Sequence, residues 1–176
     1  MSVVVTGAAG FIGSRLCERL LRDGKQVIGW DLLDAPGDVE QRRRRLVALG
    51  GRHGERFHFR RVDVRDANAV AGAFNTAEAV SAVIHLAARA GVRESVAFAE
   101  DYRATNEGGT RNVIEGCLRR RISKLVLASS SSVYGVKETP NVTEDLPLAP
   151  LTDYSKFKAL CEAHLLKEQT PDFTVL

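Results

Sequence analysis

Two groups of residues in this 176-residue chain have the types and spacing to do chemistry. The first is Thr6-Gly7-Ala8-Ala9-Gly10-Phe11-Ile12-Gly13, a turn with glycine at every third position. Where such a turn opens a helix, backbone N–H groups and the positive end of the helix dipole together hold a phosphate. Glycine is required because a side chain would block the approach or force a costly positive φ. The spacing G-x-x-G-x-x-G departs from the usual G-x-G-x-x-G dinucleotide fingerprint, so the turn alone says little. Asp31 adds to it, standing 18 residues beyond Gly13 at the end of the next apolar run. A carboxylate there grips the ribose hydroxyls of an adenosine. It would also repel a 2′-phosphate, so the pattern favours NAD over NADP. The competing reading is a tight turn beside a helix-adjacent acid.

The second group is Tyr154 and Lys158, four residues apart and therefore on one face of a helix. They follow Ser130 by 24 and 28 residues, and Ser130 lies in Ser129-Ser130-Ser131-Ser132-Val133-Tyr134-Gly135. That run closes an apolar strand and puts hydroxyls at the C-terminal edge of a sheet, where open α/β sheets bind ligands. Three further places have two readings each. Asp63-Val64 ends a strand where an adenine would lie, or is an ordinary surface turn. Leu86-Ala87-Ala88 has the small residues a cofactor needs to pass close to backbone, and His85 beside it is a packed strand-end histidine or a proton carrier. Arg42-Arg43-Arg44-Arg45 lies in an insertion, Ala35–Gly54, that reads as an exposed helix with a solvated face, or as a cation cluster for a 2′-phosphate.

The elements that must position these residues alternate. Strand-like runs at Ser2–Thr6, Gln26–Asp31, Arg56–Val62, Ala82–Leu86, Lys124–Ser129 and Phe173–Leu176 are separated by helical periods at Phe11–Arg22, Ala67–Phe74, Ala99–Leu118 and Asp153–Lys167. Alternation of this kind builds parallel βαβ units. Right-handed crossovers then give an α/β doubly wound (Rossmann) sheet with helices on both faces. Composition agrees: 44% hydrophobic and 27% charged residues suit one globular domain over 1–176, not a disordered, collagenous or disulfide-built chain. A net charge of +3 is too mild for a nucleic-acid domain. No apolar run reaches the roughly 18 residues of a membrane span, and no signal peptide is visible. The three cysteines, without a C-x-x-C pair, read as inert thiols in a reducing, cytoplasmic compartment.

In family order and over nearly its whole length, the chain resembles the extended short-chain dehydrogenases, the nucleotide-sugar epimerases and dehydratases. The matching elements are TGAAGFIG at 6–13, Asp31, HLAA at 85–88, NEGGTRN at 106–112, SSSSVYG at 129–135 and YSKFK at 154–158. AGVRES at 90–95 and SSSSVYG look most like the UDP-glucuronate 4-epimerases and their UDP-glucose 4-epimerase relatives. Dehydratases of the family carry an Asp-Glu pair where Ser131-Ser132 stand, which counts against dehydration. The resemblance implies bound NAD, held by Gly7, Gly10, Phe11, Ile12, Gly13, Asp31, Asp63, Val64, Leu86, Ala87, Ala88 and Thr105 with Tyr154 and Lys158. It implies Tyr154 as acid/base, Lys158 as the group that holds the nicotinamide ribose and lowers the tyrosine pKa, and Ser130 as hydrogen-bond partner of the reacting hydroxyl. Ser130, Ser131 and Arg93 would meet a UDP-sugar. Arg89 and Arg93 fit a pyrophosphate, a sugar carboxylate or a solvated loop, while Thr105 and Asn106 lie near the cofactor or are ordinary helix polarity.

The expected reaction is 4-epimerisation through a transient 4-keto sugar, the alternatives being a related dehydrogenase, reductase or dehydratase, or a non-catalytic NAD-binding fragment. Bringing a tyrosine from about 10 to about 7 takes roughly 4 kcal/mol. One ammonium about 6 Å away supplies roughly 3 kcal/mol at an effective dielectric near 20, so the oxidised nicotinamide must furnish the rest. In relatives the last strand continues into a smaller substrate domain. The expectation for this chain alone is cofactor binding with weak or absent turnover. A homodimer through helices 99–118 and 153–167 is also implied, with no nucleic-acid or membrane partner and no metal.

Overall fold

The computed structural model describes residues 1–33, 39–77, 79–136, 141–168, 170 and 172–176. The first residues of the Ala35–Gly54 insertion, 35–38, lie outside the described residues. Six strands, β1 (Ser2–Thr6), β2 (Gln26–Asp31), β3 (Phe57–Arg61), β4 (Val80–His85), β5 (Leu125–Leu127) and β6 (Phe173–Val175), form one sheet in the order β3-β2-β1-β4-β5-β6. Every pairing is parallel. All five residues of β1 are buried, as a central strand covered on both faces must be. The chain leaves β1 in one direction to β2 and β3 and in the other to β4, so the switch point lies between β1 and β4. Register aligns Thr6 with Trp30 on one side and His85 on the other, which brings the ends of three strands to one edge.

Among the described residues seven helices flank the sheet: α1 (Phe11–Arg22), α2 (Val39–His53), α3 (Ala67–Asn75), α4 (Val92–Ala97), α5 (Ala99–Tyr102), α6 (Gly109–Arg119) and α7 (Asp153–Lys167). Alternate residues of the strands feed two cores. Val3, Val5, Cys17, Leu21, Leu46 and Leu49 pack under α1 and α2, and Val4, Trp30, Phe74, Val113, Cys117 and Leu165 pack under α3, α6 and α7. Burial pushes the Cys17 and Cys117 thiols up to about 12, so both are inert at neutral pH. The helix that carries Tyr154 is started by a reciprocal cap. The Thr152 hydroxyl accepts from the Ser155 N–H at 3.2 Å, while the Thr152 N–H donates to the Ser155 hydroxyl at 3.0 Å. Ser155, Lys158, Cys161 and Leu165 then form the buried face of α7.

Three local departures from the expected elements have clear causes. The helix expected over Ala99–Leu118 is interrupted by a π turn, Arg103–Gly108, between α5 and α6. The turn widens the helix at Asn106, whose side chain and carbonyl both take tertiary partners described below. The stretch 92–97, read as loop, forms the short α4 behind Gly91, which sits at φ +118°. The serine run after β5 turns back as a 3₁₀ segment, Ser131–Tyr134, capped by the Ser130 hydroxyl, which accepts from the Ser132 N–H at 3.2 Å.

Candidate active site

A cleft opens at the C-terminal edge of the sheet over the switch point. Of the residues expected to hold a cofactor, Gly7, Gly10, Asp31, Asp63, Val64, Leu86, Ala87, Ala88 and Thr105 line it. Gly7 has φ +70°, and a Cβ there would lie 3.0 Å from the Ala87 nitrogen, so only glycine lets the turn meet the end of β4 this closely. Gly13 does not line the cleft but lies beneath it: a Cβ would stand 2.0 Å from the Gly7 carbonyl oxygen. Phe11 and Ile12 point away, 70% and 67% exposed on the first turn of α1. The turn and the N-terminus of α1 thus form a cradle that suits a pyrophosphate.

Asp31 is tied into that cradle. Its Oδ2 accepts from the Ala9 N–H at 3.0 Å and its Oδ1 from the Leu33 N–H at 3.0 Å. The second bond supports Leu33 at φ +65°, an uncommon conformation for leucine. Asp63 is engaged by Arg65, which donates from Nε to both carboxylate oxygens and from Nη2 to Oδ2 at 2.8 Å. That hydrogen bonding holds the Asp63 carboxyl below its ordinary range.

His85 is a packed strand-end residue with a defined tautomer. The Thr6 hydroxyl oxygen accepts from the Leu86 and Ala87 N–H groups at 3.1 and 3.0 Å, which occupies both its lone pairs. Its one proton is therefore donated to His85 Nδ1 at 2.7 Å, leaving Nε2–H to donate to the Thr110 hydroxyl at 3.0 Å. Burial, with the nearby Lys158 charge, pushes the imidazole down to about 3. Such a neutral group in this bonding pattern is not a proton carrier.

Ser130, Tyr154 and Lys158 gather at the end of β5. The Ser130 hydroxyl lies 2.9 Å from the Ser132 hydroxyl and close enough to the Tyr154 phenol to act on its titration. Lys158 is buried and its Nζ donates to the Ala128 carbonyl at 2.7 Å. Burial raises the Tyr154 phenol above its ordinary range, outweighing the Ser130 hydroxyl that lowers it, and burial also pushes the Lys158 ammonium down. Desolvation thus exceeds the stabilisation of phenolate that these side chains supply, and the expected lowering of the tyrosine calls on the nicotinamide charge as well as on Lys158. Ser131 is exposed, and Arg93 is exposed on α4 away from the cleft.

Sequence reasoning missed Arg65 and left Arg42 and Asn106 with two readings each. Arg42 lines the cleft with its guanidinium 3.7 Å from Asp31, although the run it belongs to had been given a solvated face as one reading. Arg65 lines it too, and nothing in the sequence marks the residue two beyond Asp63 as its partner. Asn106 is buried and clamps the backbone of Arg89, accepting from its N–H at 2.8 Å and donating to its carbonyl at 3.0 Å. The carbonyl of Asn106 itself accepts from the Cys161 thiol at 2.9 Å, linking the π turn to α7. Arg89, so held, lines the cleft and pairs with Asp101 at 3.6 Å. Among the described residues no helix is long and apolar enough to cross a membrane.

Residues 3–171 match the NAD dependent epimerase/dehydratase family. The chain is 43% identical over 156 residues to a UDP-glucuronate 4-epimerase of Thermodesulfobacterium geofontis, covering 88% of this chain and 47% of that protein. It is 35% identical over 172 residues to a UDP-glucose 4-epimerase of Bacillus subtilis, covering 98% of this chain and 49% of that one. The crystal structure of UDP-glucuronic acid 4-epimerase from Bacillus cereus, in complex with UDP-glucuronic acid and NAD, superposes with a TM-score of 0.87 at 31% identity, over 99% of this chain and 55% of that chain. The chain therefore spans about half the length of the relatives it matches.

Proposed function

We propose, since the chain belongs to the NAD dependent epimerase/dehydratase family, that it is the cofactor-binding and proton-handling part of an NAD-dependent UDP-sugar 4-epimerase. The observation that carries this is the gathering of Ser130, Tyr154 and buried Lys158 at the same sheet edge as a glycine cradle and Asp31. The names of the relatives point to the same reaction and to UDP-glucuronate or UDP-glucose as the class of substrate.

Bound NAD would take up the C4 hydride and return it to the opposite face of the 4-keto sugar, with no net redox change. Gly7 and Gly10 with the α1 N-terminus would receive the pyrophosphate, with Gly13 packed beneath them, Asp31 the adenosine ribose, and Leu86–Ala88 would wall the path toward the nicotinamide. Tyr154 takes the proton from the sugar hydroxyl and gives it back. Ser130 donates to the Tyr154 oxygen, which favours phenolate, and aligns the sugar hydroxyl beside it. Lys158 adds positive charge and holds the nicotinamide ribose. Because burial favours the phenol, turnover should rise with pH as the phenolate fraction grows. The same family reading assigns a second copy of the chain to the surface of helices 99–118 and 153–167, where Leu160 and Leu166 are exposed, and a cytoplasmic setting.

The test is NAD+ titration of the purified chain, followed by incubation with UDP-glucuronate or UDP-glucose, with the 4-epimer read by NMR and NADH by absorbance. NAD+ should bind, and any turnover should be slow and abolished by Tyr154→Phe while NAD+ binding remains. A chain that does not bind NAD+ would overturn the proposal. Stoichiometric NADH release would replace it with a dehydrogenase, and robust turnover would contradict the expectation that most substrate contacts lie outside these residues.

A further inference from the structure

The lysine assigned to the nicotinamide ribose sits where its charge is least favoured. Lys158 is buried, and burial pushes its ammonium down. A neutral amine would keep two donors and lose the charge that strengthens them. Most of the groups around it lend no counter-charge. His85 of β4 is a neutral imidazole, pushed down to about 3. A Cys161 thiolate would favour the ammonium, but burial raises that thiol, as it raises the Tyr154 phenol, so both are uncharged at neutral pH. Glu107 of the π turn acts on Cys161 and pairs with Arg103 at 3.1 Å. The charged group that favours the ammonium is Glu162, half-buried one turn beyond Lys158 on α7. Tyr134 of the 3₁₀ segment faces the same carboxylate, and its phenol is raised by burial and by that charge.

Two contacts fix where the carboxylate stands. The Ser129 hydroxyl donates to Glu162 Oε1, and the Lys158 Nζ donates to the carbonyl of the preceding residue, Ala128, at 2.7 Å. The Ser129 N–H is taken by an oxygen of Leu176, so the hydroxyl is the donor left for Glu162. Adjacent residues past β5 are thus gripped from successive turns of α7. Glu162 stands two turns, about 12 Å of helix, from Tyr154, whereas Lys158 is one turn, about 6 Å, from each. Its charge therefore falls more on the lysine than on the phenol, where a negative charge would oppose phenolate. We propose that Glu162 is a positioning residue of this site: its carboxylate, pinned by Ser129, is the counter-charge that keeps Lys158 an ammonium. Lys158 in that form donates to the nicotinamide ribose, so the inference rests on the NAD reading of the cleft.

The test titrates the intact chain with NAD+ and with AMP between pH 7 and 9, using Trp30, the one tryptophan and part of the cleft lining, as fluorescent reporter. AMP reaches only the adenosine end, so it reports the fold and the glycine cradle without Lys158. Glu162→Gln keeps an acceptor for Ser129 and removes the charge. A carboxylate within about 10 Å, at an effective dielectric near 20, moves a protonation equilibrium roughly tenfold. The NAD+ affinity of Glu162→Gln should therefore stay within about threefold of the parent at pH 7 and fall about tenfold below it by pH 9. Its AMP affinity should follow that of the parent throughout. Glu162→Asp, which keeps the charge, should hold NAD+ within about threefold of the parent at pH 9. Adding Lys158→Met to the parent and to Glu162→Gln should leave the two with the same NAD+ profile. Equal NAD+ profiles in the parent and Glu162→Gln, parallel losses of NAD+ and AMP, or a Glu162→Asp profile that matches Glu162→Gln overturn the proposal and leave the NAD reading intact. A parent chain that does not bind NAD+ overturns both.

Discussion

Acid should unfold this protein through His85 before it reaches the carboxylates. The imidazole is 2% exposed, and burial together with Lys158 pushes it from 6.5 down to about 3. In the unfolded chain it takes up a proton near 6.5, so between that value and about 3 the unfolded state binds more protons than the folded one. His85 therefore leaves stability intact above pH 6.5, removes it progressively as the pH falls through that window, and removes no more below about 3. Each unit inside the window costs about 1.4 kcal/mol, so the first two units cost about 2.7 kcal/mol from one residue. That is a large share of the roughly 5–15 kcal/mol that holds a typical domain together. Asp63, held low by Arg65, withdraws its own contribution only as the pH falls through the carboxylate range near 4 and below. The upper part of the window thus isolates the histidine. Urea unfolding at a series of pH values, followed by Trp30 fluorescence, gives the slope directly. His85→Asn will lower stability at every pH by disturbing the Thr6 and Thr110 bonds, so the slope and not the intercept is the readout. A stability that stays flat between about pH 6.5 and 4.5, or an equal slope in the variant, would refute the assignment of a neutral imidazole.

Three further outcomes follow from what surrounds single residues. Gly13→Ala puts a Cβ 2.0 Å from the Gly7 carbonyl oxygen, a backbone atom, and should cost about 1–3 kcal/mol in a thermal melt and weaken NAD+ binding. Gly50→Ala, on α2 with nothing within 4 Å of its Cβ position, should instead gain up to about 1 kcal/mol. Asn106→Ala strands the N–H and carbonyl of Arg89 and should cost about 2–3 kcal/mol while lowering NAD+ affinity; Asn106→Asp keeps the acceptor for the Arg89 N–H but sets a carboxylate oxygen against the Arg89 carbonyl, so it should not restore the stability of the parent. Equal stability of the alanine variant and the parent would show that the clamp contributes nothing.

Legibility in the sequence followed how local the cause was. Ser2–Thr6 is apolar because both its faces are covered, and Asp153–Lys167 begins at a capping pair two residues from Tyr154, so both were readable to the residue. The π turn at Arg103–Gly108 was not, because its residues have ordinary helical composition and the distortion is stabilised from outside, by Arg89 on the Asn106 side chain and Cys161 on its carbonyl. Arg42 was ambiguous for the same reason. Its sequence neighbours are all arginine, and only the packed position of α2 separates Arg42, which pairs with Asp31, from Arg44, which pairs with Glu40 on its own helix.

The tyrosine shows where such reasoning changes sign. The resemblance puts Lys158, one turn from Tyr154, in the role of lowering its phenol, with the oxidised nicotinamide furnishing the rest. Burial is a property of the assembled site, and it moves three groups the same way: Tyr154 upward toward phenol, Lys158 downward toward amine, His85 downward toward neutral imidazole. The Lys158 ammonium is, besides, bonded to the Ala128 carbonyl, which spends one of its three donors at the foot of β5. A site that leans its titratable groups toward their uncharged forms does not carry its own driving force for proton abstraction. The positive charge that favours phenolate must then arrive with the ligand, so the apparent pKa of Tyr154 should fall when NAD+ is added and fall less when NADH is added in its place. An equal fall with both would mean that the tyrosine answers to desolvation by the adenosine half, and not to the charge on the nicotinamide ring.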